Sequence, residues 1–426
     1  MAQPQRLTRR MAGLLRRRLP EARLDQVTDP RARRGRRWPL RTLLGATLLG
    51  LLAGAKSLAE TEALTAELSA GMRRLLRIYR RVAALRELIC RLDPHQLRAA
   101  LHRLVRAAQR RKALEADGLP FGVVALDGKA TALPSCDDYY AQRQSQNDGR
   151  TLVGLLRTVT SALISCRARP CIDVLPIAAC TNEMGWFETA LRHLVAAYGS
   201  LDLFRLVSYD AGACSQDNAS LVRELSLHYL FGLKSTQPTL LHEAQRLLAS
   251  LGIGQALADS EDDLGAGKRV LRRLYLTDQM AGFEWSHLRT VLRVESETLD
   301  AAGRRLVYEN RYFVASLPAC RLSSKQWLLL VRRHWGVETC HNILDTAFEE
   351  DKHPWIESEP RAALNVLVLR RLAYDLLTLF RSVTQRSEQR RATPWRTLMH
   401  WIDRALREAT EQDVCGLRAR RPLCAT

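Results

Sequence analysis

The stretch HWGVETCHNILDTAFEED, His334 to Asp351, gathers five carboxylates, two histidines and one cysteine. Read as one amphipathic helix, it sets His334, Glu338, His341 and Asp345 on a single face, at i−4, i, i+3 and i+7 about the glutamate. Trp335, Ile343 and Phe348 supply apolar contacts elsewhere. Such a stripe is either a solvated face or one wall of a metal site. Glu349, Glu350 and Asp351 lie three turns on, about 16 to 20 Å along the axis, and are expected out of Glu338's reach. Asp345 is expected either to support the site from beside it or to pair with a nearby arginine. Two further carboxylates share one local grammar. Asp127 in VVALDGK and Asp210 in SYDAG each close an apolar run and precede a glycine by one or two residues. Each is either the start of a turn or a reactive group at the carboxyl end of a strand. Two carboxylates at one sheet edge repel unless positive charge sits between them, and a pair of Mg²⁺ ions would supply it.

The elements that must hold these groups change character along the chain. From Leu7 to about Gly118 apolar residues recur at helical spacing with basic residues on the other faces. At DGLPFGVVALDGKA a Gly-Pro break leads into a strand expected to end at Asp127. TLVGLLRTVTSALIS and CIDVLPIAA read as further strands, followed by a helix from about Glu183 to Tyr198. DLFRLVSYDAGACSQDNASLVRELSLHYLFGLK reads as strand, turn, helix, strand, which is α/β alternation. Antiparallel strands are expected from about Thr239 to Pro318, inserted into that unit, with Trp285 a core residue rather than a platform for a base. SSKQWLLLVRRHWGVETCHNILDTAF is helical, capped by Ser323 or Ser324. The organisation expected is a basic helical module over 1–118, an α/β core over 119–238 and 319–381, a β-rich insertion over 239–318 and a basic helical tail over 382–426.

A net charge of +20 points to a polyanionic partner. Met1 to Arg41 holds thirteen arginines against three acidic residues, which is half of that excess. This segment, with Arg33, Arg34, Arg36 and Arg37 at its densest point, is expected to contact DNA phosphates. The longest uncharged apolar run, Thr42 to Ala55, is shorter than the ~20 residues a bilayer requires, so it is expected to be a buried helix and no membrane partner is expected. Ten cysteines without a Cys-x-x-Cys pair indicate neither zinc nor a disulfide framework and suit a reducing cytoplasm.

The ordered set of Asp127, Asp210 and Glu338 in their quoted motifs resembles the DDE transposases of bacterial insertion sequences, above all the H-repeat-associated branch. DPRARRGRRWPLRTLLGATLLGLLAGAKSL, YLFGLKSTQPTLL and YFVASLP are similar to that branch's other landmarks, and the resemblance spans roughly Asp29 to Arg381. It implies an α/β fold: an RNase H-like mixed sheet with flanking helices, a β-strand insertion before the glutamate and an N-terminal all-α module. It also implies that Asp127, Asp210 and Glu338 are the catalytic triad, binding two Mg²⁺ ions, for which Mn²⁺ can substitute. The implied activity is cleavage at an element's ends and joining of the freed 3′ hydroxyls to target DNA. Its partners are double-stranded DNA, as terminal inverted repeats and target, and a second copy of the chain in a synaptic homodimer, at the nucleoid in the cytoplasm. The related large class places Tyr, Arg and Lys around the glutamate where Val331, His334 and Asp345 stand here. Lys129, Arg332, Arg333 and His334 are the expected DNA-facing cations near the site. The alternative readings are a domesticated copy that binds DNA without cutting it, and a metal-dependent nuclease without strand transfer. All three carboxylates being present favours the active enzyme.

Overall fold

A computed structural model describes residues 3–136, 141–280 and 283–415. Helices open the chain: α1 (Gln3–Arg18), α2 (Leu40–Ala53), α3 (Leu58–Ala66), α4 (Ala70–Leu76), α5 (Leu85–Arg91) and α6 (Pro94–Arg110). Side chains of Ser57, Ser69 and Asp93 accept hydrogen bonds from the first turns of α3, α4 and α6, so polar residues set these boundaries. Within α2, every residue from Leu43 to Leu52 is buried, as its uncharged apolar run requires. Among the described residues no single helix is long and apolar enough to cross a membrane.

Strands β1 (Val123–Pro134), β2 (Ala141–Gln144), β3 (Leu152–Leu163) and β4 (Cys171–Pro176) come after these helices, then α7 (Phe187–Tyr198), β5 (Leu206–Tyr209), α8 (Gln216–Glu224) and β6 (His228–Leu233). β1 pairs antiparallel with β3, and β3 with β4, while β5 runs parallel to both β1 and β6. This is a mixed α/β sheet of RNase H-like type. Alternate residues of β1 serve two cores: Val124 and Leu126 face one with α6, α7 and their neighbours, and Val123 and Ala125 face the other. Asp127 is not the end of its strand. Parallel pairing to β5 stops at Ala125, but the antiparallel ladder to β3 carries β1 on to Pro134.

The segment expected to hold only strands opens with helix α9 (Pro238–Leu248), which buries Leu240, Ala244 and Leu248 at four-residue spacing behind a proline at its first position. Strands β7 (Ala258–Gly265), β8 (Lys268–Thr277), β9 (Thr290–Leu299) and β10 (Arg305–Ala315) come next. They continue the central sheet in the order β6-β10-β9-β8-β7. Tyr312 to Ala315 pair with β6, while Arg305 to Asn310 run past it, exposed, with β9 as partner. Trp285, on the β8–β9 connection, is partly buried against the core.

Helix α10 (Ser324–His334) starts in a capping box between Ser323 and Gln326. The chain breaks at Trp335 and resumes as a separate helix, α11 (Gly336–Thr346), so the stretch from His334 to Asp351 is not one helix. A Cβ at residue 336 would stand 3.0 Å from Ile164 Cγ2, so glycine lets this break sit tightly against the end of β3. Beyond Thr346 the chain turns through Glu349, which adopts positive φ.

Helix α12 (Pro360–Leu379) is buried on all sides. Short α13 (Glu388–Arg391), then α14 (Trp395–Glu408) and short α15 (Glu411–Val414) are the last elements among the described residues. α12 packs against α2, α5 and α6 on one side and β3 and β4 on the other, while α14 packs on α1 and α2. The change of pattern near 118 therefore marks the start of the sheet but no seam in the core. In the segment expected to be a basic helical tail, α14 is a helix and buries Leu398, Met399, Ile402, Ala405 and Leu406.

Candidate active site

Asp127 and Asp210 come together through register. Ala125 pairs with Ser208 across the parallel β1 and β5, so the two aspartates stand two residues further along neighbouring strands. Asp210 leaves β5 as the cap of a 3₁₀ turn, where its Oδ1 accepts the Gly212 N–H at 2.9 Å. Glu338 reaches the same place from the first turn of α11, which packs on β1 and β3. Its carboxyl is held above the ordinary carboxylate range, first by partial burial and then by Asp127, with Asp210 adding to the effect; Arg311 and His341 oppose it. One turn beyond Glu338, His341 Nδ1 lies 3.2 Å from Asp127 Oδ2, and its Nε2 is buried without a hydrogen-bond partner.

A fourth carboxylate, which no sequence motif singled out, joins them. Glu183 lies in the turn before α7, not on the helix expected to begin there. Its Oε1 accepts from the Gly128 N–H at 2.9 Å and from the Tyr209 hydroxyl at 2.5 Å. Burial raises its pKa, the Tyr209 hydrogen bond opposes that, and Asp127 and Asp210 raise it further. The glycine after Asp127 makes this possible: a Cβ there would fall 1.8 Å from Glu183 Oε2. The Asp-Gly pair was legible as a turn signal; its use as space for a distant carboxylate was not.

The cations expected to face DNA near the site are engaged elsewhere. Lys129 Nζ, nearly buried, ion-pairs with Asp345 and lies 3.4 Å from Glu350 and 3.5 Å from Asp351. Asp345, Glu350 and Asp351 offer three clustered carboxylates, but this ammonium already sits among them. Asp345 thus pairs with a lysine rather than an arginine. Arg332 pairs with Asp262, and Arg333 is buried against the carbonyls of Asp117 and Ser165. His334, on the preceding helix, is buried with Nδ1 2.7 Å from Ser208 Oγ, and burial lowers its pKa to about 4. The ring is enclosed against Ser208 of β5 and does not face solvent. Arg311, on β10, is the cation that acts on Glu338 from the extended part of the sheet, stacked 4.4 Å from the Trp335 ring and bonded to Glu309 at 2.8 Å. In the amino-terminal segment Arg33, Arg34, Arg36 and Arg37 are all exposed. Arg36 approaches Asp29 at 3.5 Å; the other three pair with no carboxylate among the described residues.

Residues 22–105 match the family model described as DDE_Tnp_1-associated. That segment covers α2 to α5, most of α6 and the four exposed arginines, and it ends before β1 begins. The match relates the chain to DDE-type transposases, in agreement with the resemblance carried by its three ordered carboxylates. No curated protein matches the chain.

Proposed function

We propose that the chain is a DDE-type transposase that cuts DNA at the ends of an insertion sequence and joins the freed 3′ hydroxyls to target DNA. The observation that carries this reading is that Asp127 and Asp210 stand on the neighbouring strands β1 and β5, with Glu338 near enough for both to raise its pKa. Arg311 and His341 act against the negative charge at Glu338, and His341 also approaches Asp127. Carboxylate oxygens are the donor set that hard divalent cations take. The residues therefore fit a pair of Mg²⁺ ions, with Mn²⁺ as substitute, held by Asp127, Asp210 and Glu338. Such ions would stabilise charge on the transferring phosphate and activate the attacking oxygen.

The chain's own residues supply placement. Asp210 and Glu338 are exposed, so the edge is open to a duplex. Arg311 stands beside Glu338 where it meets the DNA backbone near the scissile phosphate. Arg33, Arg34, Arg36 and Arg37 neutralise phosphates further along the end. Water attacks first and leaves a 3′ hydroxyl; that hydroxyl then attacks a target phosphate, so one phosphodiester replaces another and no energy-rich cofactor is consumed. Joining two ends together requires two copies of the chain on one DNA assembly.

The test uses duplexes carrying the sequences that flank the protein's own gene, with Mg²⁺, and separates nicked from joined products. Asp127→Asn, Asp210→Asn and Glu338→Gln are each expected to lose cleavage and joining while binding the duplex like the wild type. Near-normal joining by any of them would remove that residue from the triad. Cleavage without joined product in the wild type would make the protein a nuclease instead.

A further inference from the structure

We propose that His341 is a positioning residue for Asp127: its Nδ1–H steadies Asp127 Oδ2 and leaves the other carboxylate oxygen for a divalent cation. This rests on the phosphoryl-transfer reading above. The two aspartates are not held alike. Asp210 is fixed by its own turn, through the Gly212 N–H at 2.9 Å. Asp127 stands within β1, opposite Thr160 in the ladder to β3, and no such turn follows it. The group that comes within ion-pairing distance of its carboxylate among the described residues is His341, with Nδ1 3.2 Å from Oδ2.

The surroundings of the ring decide which nitrogen carries the proton. Nε2 is buried without a hydrogen-bond partner. A proton there would be an enclosed N–H with no acceptor, and it would set the Nδ1 lone pair against a carboxylate; an enclosed lone pair on Nε2 is the milder defect. With its proton on Nδ1 the ring meets Oδ2 as a donor. The side chain is only 12% exposed, so packing keeps it in place. Glu338 and His341 are three residues apart and share one face of α11. A single helix thus brings one carboxylate to the site and steadies a second that belongs to the sheet.

The measurement is Mn²⁺ binding to the full-length protein, monitored by electron paramagnetic resonance, with duplex binding in EDTA to show that each variant is folded. His341→Leu keeps an apolar body and removes the donor. It is expected to bind Mn²⁺ about tenfold or more weakly, the usual cost of losing a partner that orients a metal ligand, to need correspondingly more Mg²⁺ for half-maximal cleavage, and to bind duplex in EDTA like the wild type. His341→Asn puts an amide N–H at the same remove from the main chain as Nδ1 and is expected to bring Mn²⁺ affinity back to within about threefold of the wild type. His341→Gln, whose amide N–H reaches the place of Nε2, is expected to bind Mn²⁺ as weakly as His341→Leu. Wild-type Mn²⁺ binding by His341→Leu overturns the proposal. So does a loss of its duplex binding in EDTA, which marks a ring that only packs. An asparagine variant as weak as the leucine one, or rescue by glutamine, overturns it as well, since Nδ1 is then not the working atom. If Asp127→Asn binds Mn²⁺ like the wild type, the metal-dependent reading itself fails; if Asp127→Asn loses Mn²⁺ while His341→Leu keeps it, only the positioning role does.

Discussion

His334 and Glu338 are four residues apart and do opposite things. His334 closes α10 with its ring buried against Ser208, whereas Glu338 opens α11 with its carboxylate toward the aspartates. Burial lowers the His334 pKa to about 4. Between that value and an ordinary histidine pKa near 6.5, the unfolded chain binds a proton that the folded chain refuses. The contribution is therefore fully present above about pH 6.5 and is lost as pH falls toward 4. Its full size is on the order of 3 kcal/mol. Glu183 and Glu338 act in the other sense. Their raised pKa values favour the protonated folded state, so acid relieves them. The histidine's share is isolated by difference: denaturant midpoints of the wild type should fall relative to His334→Gln as pH drops from 6.5 to 4. A constant gap would show that the ring titrates as freely in the folded chain as in the unfolded one.

At the scale of elements, buried ion pairs lock helices onto the sheet. Asp173 on β4 receives Arg98 of α6 at 2.6 Å and His102 at 3.0 Å, and these hold its carboxyl well below the usual range despite full burial. Glu350 is fully buried. Burial alone would push its pKa up, but Arg371 of α12 and then Lys129 of β1 bring it down to about 2. Removing it leaves Arg371 charged and enclosed, so Glu350→Ala should cost about 3 to 5 kcal/mol in urea unfolding. Asp351, half exposed on the same lysine, should cost under about 1 kcal/mol when changed to alanine. Equal losses would mean that Lys129 depends on both carboxylates alike. Helices α7, α8 and α10 and the core strands were readable from apolar spacing and turn residues. The break at Trp335 was not, because both sides of it keep the same helical period, and the close packing of Gly336 on Ile164 is a contact between distant parts of the chain.

The whole molecule is built around α12, which meets the amino-terminal helices on one side and the sheet on the other. Deleting residues 1–118 should therefore give an aggregating protein without near-ultraviolet circular dichroism, rather than a catalytic core that has merely lost DNA selectivity. A soluble, cooperatively melting fragment would contradict the shared core. Recognition is better tested with the fold intact. Changing Arg33, Arg34 and Arg37 together to alanine removes exposed charge only. It should reduce the slope of log affinity against log salt concentration by about 3, if each arginine neutralises one phosphate. Its melting temperature should stay that of the wild type.

By itself the sequence determined the alternation of helices and strands, the surplus of positive charge toward the amino end, and the order of three carboxylates with the landmarks around them. These are local properties: a period of two or 3.6 records which side of an element is buried, and a motif is a run of neighbours. Only the tertiary structure decided that Lys129 answers to carboxylates more than two hundred residues away, that Arg332 and Arg333 are engaged by Asp262, Asp117 and Ser165, and that Glu183 reaches across to Gly128 and Tyr209. Each of those depends on which side chains meet when the sheet and helices close around α12, and electrostatic pairing over such sequence distances leaves no periodic trace along the chain.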